Sequence, residues 1–316
     1  MKIRLSSIFR ILLLSGFMLF AFVQCKKDKK TIVEEEINFD EIEETPVSGK
    51  IEILVEESIF PVVEDVRDVF ESEYRRAKID LIKKSEQEIL MAIFKDSARL
   101  AVLPRALDEN EKELIKGRLF PKVTHFATDA IVFVASKSYS DSIVDYDSLL
   151  KNLKQEKPNE EDQAIFVFDN VNSSVSKQFR KMSGVESFPK NYAYFLPSTE
   201  EVIDYVSKNS KAIGIVGLNW LVQPDEKISE KLKTIKVLGV KNPEDGKYYK
   251  ATQNNIAEKT YPLTRDLYIW DFQGKTGLGV GFSSYIAGYK GQRIILKSGL
   301  VPFKVPPREI LVKKEL

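Results

Sequence analysis

The chain has 316 residues, with 48 basic and 47 acidic side chains and a formal net charge of +1. Hydrophobic residues make up 43% of it, a share that is typical of globular proteins and excludes a disordered chain or one with many membrane spans. The nearly balanced charges give no strong field to attract nucleic acid, and none is predicted as a partner. The length allows one large domain or two medium ones.

The first residues have the pattern of a bacterial export signal. Three basic residues precede an uncharged run over 11–23, which is shorter than the ~20 residues of a membrane-spanning helix. The run is followed by Cys25, the one cysteine of the chain, in the place where a lipoprotein is lipidated. We therefore predict a signal peptide over 1–24 and a lipid anchor at Cys25, in the cell envelope and facing the periplasm or the outside. An uncleaved anchor or an incidental cysteine is the alternative.

Residues 25–49 are polar and, after the first lysines, mostly acidic, which predicts a solvated, lipid-anchored linker. Removal of the signal peptide takes away three basic residues and no acidic one. The remaining 45 basic and 47 acidic residues have a net charge of −2. Because the one cysteine carries the lipid, no disulfide is expected.

From residue 50, strand-like and helix-like patterns alternate. The predicted strands of the first part are 51–58, 78–84 and 99–107, and its predicted helices are 60–77, 85–96 and 108–117. Ser85, followed three residues later by Glu88, has the pattern of a capping box. The repeated alternation predicts an α/β architecture with a largely parallel sheet.

The second part continues the alternation after a long apolar strand. Its predicted strands are 125–136, 164–168, 211–219, 233–240 and 261–270, and its predicted helices are 145–154, 173–182 and 198–209. Residues 155–163 and 242–255 have the polar composition of loops, and the helical patterns over 277–299 are broken at Gly288.

No sequence motif of a known enzyme stands out. The chain has one histidine, His125, and one cysteine, so the ligands of a zinc site are lacking. Neither a nucleophile elbow nor a phosphate-binding loop of the GxxxxGK[ST] form occurs. We predict no catalytic activity, no metal and no cofactor. A hydrolase that uses carboxylates alone stays open as an alternative, because it needs no such motif.

The segment FVFDNVNSSVSKQF, residues 166–179, places small hydrogen-bonding side chains where a strand turns into a helix. A serine in such a turn can be an N-cap, whose oxygen accepts a backbone N–H of the first helical turn. It can also belong to an anion site, because the free N–H groups and the dipole of a helix N-terminus favour negative charge. Ser173 and Ser174 lack the glutamate of a capping box three residues on, since Ser176 follows Ser173 at that spacing.

The order of these segments resembles the phosphate-binding lipoproteins of ABC transporters, the PstS type of the type II periplasmic binding proteins. The resemblance covers nearly all of residues 50–303. The stretches that carry it are ESIFPVVEDVRDVFESEY at 57–74, FATDAIVFVAS at 126–136, STEEVIDYVSKNSKAIGIVGLNW at 198–220, YPLTRDLYIW at 261–270 and GLGVGFSSYIAGYKGQRIILKSGLVP at 277–302.

The resemblance implies a ligand site made of hydrogen-bond donors between two lobes. The residues that fall on the family's ligand positions, or can supply donors beside them, are Ser58, Ser85, Arg105, Asn172, Ser173 and Ser174. The chain departs from the family pattern in three acidic residues near that site. Glu56 and Glu57 replace small residues before the first-loop serine, and Asp169 stands where the family has an arginine.

The resemblance implies a two-lobe fold in which each lobe is a mostly parallel sheet flanked by helices. Lobe 1 is predicted over 50–124 and 268–316 and lobe 2 over 125–267, with a hinge at the two crossings. We expect a monomer that binds a small oxyanion, inorganic phosphate first, between the lobes and delivers it to an ABC permease. An ionised carboxylate repels such an anion unless it accepts a proton from it or points away. The alternative is therefore an envelope scaffold or sensor that kept the fold but binds another ligand or none.

Overall fold

The computed structural model describes residues 37–117, 120–154, 164–189 and 193–306. The predicted signal peptide and Cys25 lie outside these residues. Within them, no helix combines the length and the apolar character that a membrane span requires.

The strands are defined first, in chain order. They are β1 Gly49–Glu56, β2 Ala77–Lys84, β3 Leu100–Leu103, β4 Lys122–Ser136, β5 Ile143–Val144, β6 Ile165–Phe168, β7 Ala193–Phe195, β8 Ala212–Gly217, β9 Ile235–Val237, β10 Gly239–Lys241, β11 Tyr248–Tyr249, β12 Thr264–Asp271 and β13 Val301–Pro302.

The helices connect these strands. They are α1 Phe60–Glu73, α2 Glu86–Phe94, α3 Glu109–Leu114, α4 Tyr146–Asn152, α5 Ser174–Ser183, α6 Thr199–Lys208, α7 Asn219–Val222, α8 Glu226–Leu232, α9 Gln253–Ala257, α10 Leu278–Ile286 and α11 Tyr289–Lys297. A single turn of 3₁₀ helix, Glu57–Ile59, joins β1 to α1.

One large mixed sheet organises the described part of the chain, with strand order β2-β1-β3-β12-β4-β8-β6-β7 and with β13 and β9 pairing with β4. The strands β1, β2 and β3 are parallel to one another and form what we call the first half, together with α1, α2 and α3. The strands β6, β7 and β8 are also parallel and form the second half, together with α5, α6 and α7. The mostly parallel α/β fold predicted from the alternation is confirmed.

The long strands β4 and β12 connect the two halves. They are antiparallel to each other, and the pairing register shifts between Leu267 and Tyr268. The first part of β4 pairs with β12, whereas its last part, Ile131–Ala135, pairs with β8. Both predicted hinge crossings therefore fall inside these two strands.

Alternating side chains explain why these segments bury one face. In β12, Arg265, Leu267 and Ile269 point to one side and are buried, whereas Asp266 between them is exposed. In α1, Val63, Val66 and Phe70 follow helical spacing and are at most 1% exposed. Strand β1 ends at Glu56 and strand β6 at Phe168. The polar residues at these two strand ends lie close together, since the Ser174 N–H after β6 donates to Glu56.

Candidate functional site

The candidate site lies where the turn after β1 meets the N-terminus of α5. We call Glu56, Ser58, Ser174 and Arg265 the central cluster; all four residues are buried. The carboxylate of Glu56 accepts hydrogen bonds from both halves. Its Oε2 accepts from the Ser58 N–H at 3.0 Å and from the Ser58 hydroxyl, and its Oε1 accepts from the Ser174 N–H at 3.0 Å. Two backbone donors and one hydroxyl therefore converge on a single carboxylate.

The two serine hydroxyls of the cluster contact the Arg265 guanidinium. Its Nη1 donates to Ser58 Oγ at 2.8 Å and to Ser174 Oγ at 3.2 Å, and the two hydroxyl oxygens are themselves 3.2 Å apart. Arg265 comes from β12, Ser58 from the first half and Ser174 from the second half. One guanidinium thus connects β12 to both walls of the site.

A buried ion pair fixes the position of Arg265. Its Nε and Nη2 donate to Oδ2 of Asp129 on β4, at 3.1 and 2.8 Å. Asn219 donates through Nδ2 to the same Asp129 oxygen at 3.2 Å and to the Ser58 carbonyl at 2.8 Å. A Cβ on Gly217 would lie 2.6 Å from Arg265 Nη2 and from the Ser58 carbonyl, so the close approach here requires glycine.

Asp169 adds a second buried carboxylate beside the N-terminus of α5. Its Oδ1 accepts from the Ser173 hydroxyl at 2.5 Å, and Ser173 Oγ in turn accepts the Ser176 N–H at 3.1 Å as the N-cap of the helix. Oδ2 of Asp169 is buried and has no hydrogen-bond partner. Burial, with the neighbouring charges of Glu57 and Glu56, raises the pKa of Asp169 well above its usual range.

Glu57 spans the two halves at a second place. It accepts the Thr199 N–H at 3.0 Å and the Thr199 hydroxyl at 2.9 Å, at the first residue of α6. Burial raises the pKa of Glu57 to about 7, and the Thr199 N–H opposes that shift only in part. Burial also raises the pKa of Glu56, although the Arg265 charge and the Ser58 hydroxyl favour its ionised form. Consecutive glutamates thus occupy the N-termini of two helices of the other half.

A cavity of about 540 Å³ lies next to the central cluster. Its lining residues include Arg105, Lys177, Ser174 and Arg265.

A network of ion pairs borders this cavity. Arg105 donates to Glu86 Oε1 at 2.8 Å and to Glu111 Oε2 at 2.7 Å. Lys177, from α5 of the second half, lies 2.8 Å from the same Glu86 oxygen. Burial opposes ionisation of Glu111, but the hydrogen bonds from Arg105 and the Asp108 N–H outweigh it and lower its pKa to about 2.

The structure brings together some of the predicted ligand residues. Ser58 and Ser174 face each other in the central cluster, and Arg105 lines the adjoining cavity with its guanidinium engaged by two carboxylates. Ser85 forms the predicted capping box with Glu88 and stays outside the cluster. Ser173 is the N-cap of α5.

Asn172 is exposed, and its backbone carbonyl accepts the Gln87 N–H across the halves at 3.3 Å. Its side chain does not enter the central cluster. The segment FVFDNVNSSVSKQF therefore supplies both a capping residue, Ser173, and a cluster residue, Ser174.

Sequence reasoning missed Arg265 and the position of the Glu56 carboxylate. In its alternating strand, Arg265 points to the same face as Leu263 and Leu267, both of which are buried. A cation at an inward position of such a strand must find a buried partner, and that requirement was a usable signal. For Glu56 no such signal exists, because the apolar alternation of β1 ends just before it. Among the described residues, no group of three or more acidic, histidine or cysteine side chains is arranged to hold a metal ion.

Comparisons with known proteins identify the class. Residues 41–289 match the family model described as a PBP superfamily domain, which covers more than half of the chain, so the chain belongs to this family. The membership of the periplasmic binding proteins inferred from the sequence is thereby confirmed. No curated protein matches the chain.

Two solved structures share this fold. A Clostridium perfringens protein assigned as a phosphate ABC transporter substrate-binding protein, with bound phosphate, is 17% identical. It aligns over 81% of this chain and 100% of its own, with a TM-score of 0.67. An ABC-type phosphate transport receptor from Vibrio cholerae is 17% identical over 79% of this chain and 99% of its own, with a TM-score of 0.59. At these identities the likeness establishes the two-lobe fold.

Proposed function

We propose that the protein is an extracytoplasmic binding protein that takes up a small oxyanion, inorganic phosphate first, between its two halves. The observation that carries the proposal is the convergence of the Ser58 N–H, the Ser58 hydroxyl and the Ser174 N–H on one anionic group. Backbone donors at a helix N-terminus with hydroxyls beside them suit phosphate oxygens as well as carboxylate oxygens. The guanidinium of Arg265 behind both hydroxyls adds a fixed positive charge.

The relatives support the biological setting of the proposal. The two structures compared above, from Clostridium perfringens and Vibrio cholerae, are assigned to phosphate transport by ABC transporters. We infer that this protein delivers its anion to a membrane permease, that it is held at the membrane by a lipid on Cys25, and that it acts as a monomer. The proposed ligand donors are Ser58 and Ser174 with Arg265, and Arg105 lines the cavity next to them. The hinge is proposed to lie in β4 and β12, which connect the halves.

Calorimetry tests this function directly. Residues 26–316 are freed of bound ligand by unfolding and refolding and are titrated with phosphate near neutral pH. We expect one-to-one binding that Ser174→Ala weakens about tenfold, the loss of one hydrogen bond to a charged group. Ser72→Ala is the control, because the Ser72 hydroxyl is exposed and bonds only to Val69 of its own helix. Equal affinity of Ser174→Ala and the parent chain would remove Ser174 from the site.

A second candidate function is an envelope scaffold or sensor that closes without an external ligand. Glu56 favours this candidate, because its carboxylate already accepts the donors that the anion needs. A folded protein that releases no heat with phosphate or with other oxyanions would support the scaffold over the transporter.

A further inference from the structure

The central cluster already contains an anion, and that anion belongs to the chain. Both oxygens of the Glu56 carboxylate accept hydrogen bonds, one from the first half and one from the second. These donors lie 3.0 Å from the carboxylate oxygens, which leaves no room for water between them, and the residue is fully buried. With the Ser58 and Ser174 hydroxyl oxygens 3.2 Å apart, no anion fits between them while Glu56 stays in place. The adjoining cavity is lined by Ser174 and Arg265, so an anion there would not reach the donors that Glu56 holds.

Glu57 makes a parallel connection one residue further on. It accepts the N–H and the hydroxyl of Thr199 at the start of α6, so that one short turn of the first half supplies anions to two helices of the second. In a two-lobe binding protein the ligand connects the lobes by hydrogen-bonding to both of them. Here two side chains make those connections.

The charges indicate that an anion bound by the Ser58 and Ser174 N–H groups must displace Glu56 rather than join it. Three acidic residues, Glu56, Glu57 and Asp169, interact electrostatically around the cluster, and Arg265 is shared with Asp129. Burial raises the pKa of each of these three, which shows that negative charge here is already costly. A doubly charged phosphate added to them would increase that cost.

We propose that Glu56 is a tethered competitor of the oxyanion: its carboxylate fills the site and, with Glu57, holds the two halves together when no ligand is bound. This inference rests on the proposed function, because it names Glu56 as the residue that regulates the proposed anion site. It makes Glu56 the residue that sets the affinity, because only the fraction of molecules with a vacated site can bind the anion. Removal of the carboxylate removes the competitor and also one of the two connections.

The experiment measures phosphate affinity and closure on the full-length protein in detergent, for the parent chain, Glu56→Ala and Glu56→Gln. Glu52→Gln is the matched control, because Glu52 lies on the same strand but is exposed. Trp220 reports closure: it is 5% exposed, and Lys83 of the first half lies 5.3 Å from its ring centre. Acrylamide quenching in a Trp270→Phe background follows Trp220 alone, since the chain has two tryptophans.

We expect Glu56→Ala to bind phosphate about tenfold or more tightly than the parent chain, by removal of the competitor. Without ligand its Trp220 should be more accessible than in the parent, and phosphate should protect it again. In Glu56→Gln the phosphate affinity and the Trp220 accessibility should change in the same direction. The amide oxygen can accept hydrogen bonds but the amide nitrogen cannot, so the side chain loses the donors of one of the two halves. Its isosteric shape keeps the test valid if Glu56→Ala does not fold.

The outcomes separate the two proposals. If no chain binds phosphate but Trp220 opens in both Glu56 variants and not in Glu52→Gln, the connecting role of Glu56 stands and the phosphate function fails. If the parent chain binds phosphate and both Glu56 variants bind it no better, with Trp220 unchanged, the competitor is refuted and the phosphate function stands.

Discussion

Arg265 and Asp129 form a fully buried ion pair, with side chains 3% and 0% exposed. Such a pair adds little net stability over an apolar pair, but removal of one partner leaves the other charge buried alone. We therefore expect Arg265→Met to lower the free energy of unfolding by about 3 to 5 kcal/mol. Denaturant titration measures this loss. The exposed Arg75, changed to Met, is the control and should shift stability by less than about 0.5 kcal/mol.

A double variant tests whether the lone charge causes that loss. In Arg265→Met with Asp129→Leu, no buried charge remains at this position, and we expect part of the lost stability to return. If the double variant is no more stable than Arg265→Met alone, the loss comes from packing or from the serine hydroxyls that Arg265 contacts.

At the scale of single residues, the sequence predicts which residues lie at the candidate site better than it predicts which groups they contact. Ser58 and Ser174 were assigned to one site from the family resemblance, and the structure places their hydroxyls in contact. Ser173 and Ser174 are adjacent and chemically identical, yet one caps the helix and the other faces the cluster. The difference comes from the direction in which each side chain leaves the turn, which neighbouring residue types do not determine.

At the scale of elements, the N-termini of α5 and α6 receive carboxylates from a turn in the other half. Helices with a good N-cap were predicted well: Ser85, Asp108 and Ser198 each accept the N–H three residues on. The strand predicted over 233–240 was wrong as a single element, since Leu238 separates β9 from β10, which belong to different sheets. Strand β9 pairs with β4 and strand β10 pairs with β5. Both partners are distant in sequence, so no local pattern reveals the break.

The pH dependence of the α6 contact follows from Glu57. Its pKa is about 7 in the folded protein against an ordinary value of 4.5, so the folded state binds its proton more tightly. The stability that this group contributes is therefore fully present below pH 4.5 and is lost as pH rises through about 7. Glu57→Gln cannot ionise, so the parent chain should lose stability relative to this variant over that interval.

Unfolding free energies of both proteins at a series of pH values check this prediction. Glu64→Gln, on α1 and partly exposed, is the control, and its difference from the parent chain should not change in that way. A Glu57→Gln curve that runs parallel to that of the parent chain from pH 4.5 to 8 would contradict a Glu57 that binds its proton more tightly in the folded protein.

For the whole molecule, the two-lobe α/β fold could be predicted because strand-helix alternation and the order of segments are properties of the sequence. The contacts that join the halves could not, because each one pairs residues far apart in the chain. Glu57 and Thr199 are 142 positions apart, and Ser58 and Ser174 are 116 apart. These contacts depend on how the halves meet across β4 and β12, and that geometry follows from the packing of the whole core.

Lys177 provides a test of how firmly the halves are held together. From α5 it lies 2.8 Å from Glu86 and 3.3 Å from Glu111 of the first half. Its side chain is 44% exposed, and partly exposed ion pairs are worth up to ~1 kcal/mol. Because Arg105 still neutralises Glu86, we expect Lys177→Met to keep the fold but to raise the open fraction by up to about fivefold.

Hydrogen exchange of the Ser174 amide measures that fraction, since this N–H donates to Glu56 across the halves and exchanges only when they separate. Lys208→Met is the matched control: its partner Asp204 lies on the same helix, so its loss should leave the Ser174 exchange rate unchanged. Equal exchange rates in the two variants would mean that the Lys177 pairs do not hold the halves together. Faster exchange in Lys177→Met alone would show that the Lys177 pairs contribute to closure beside the contacts of the Glu56 carboxylate.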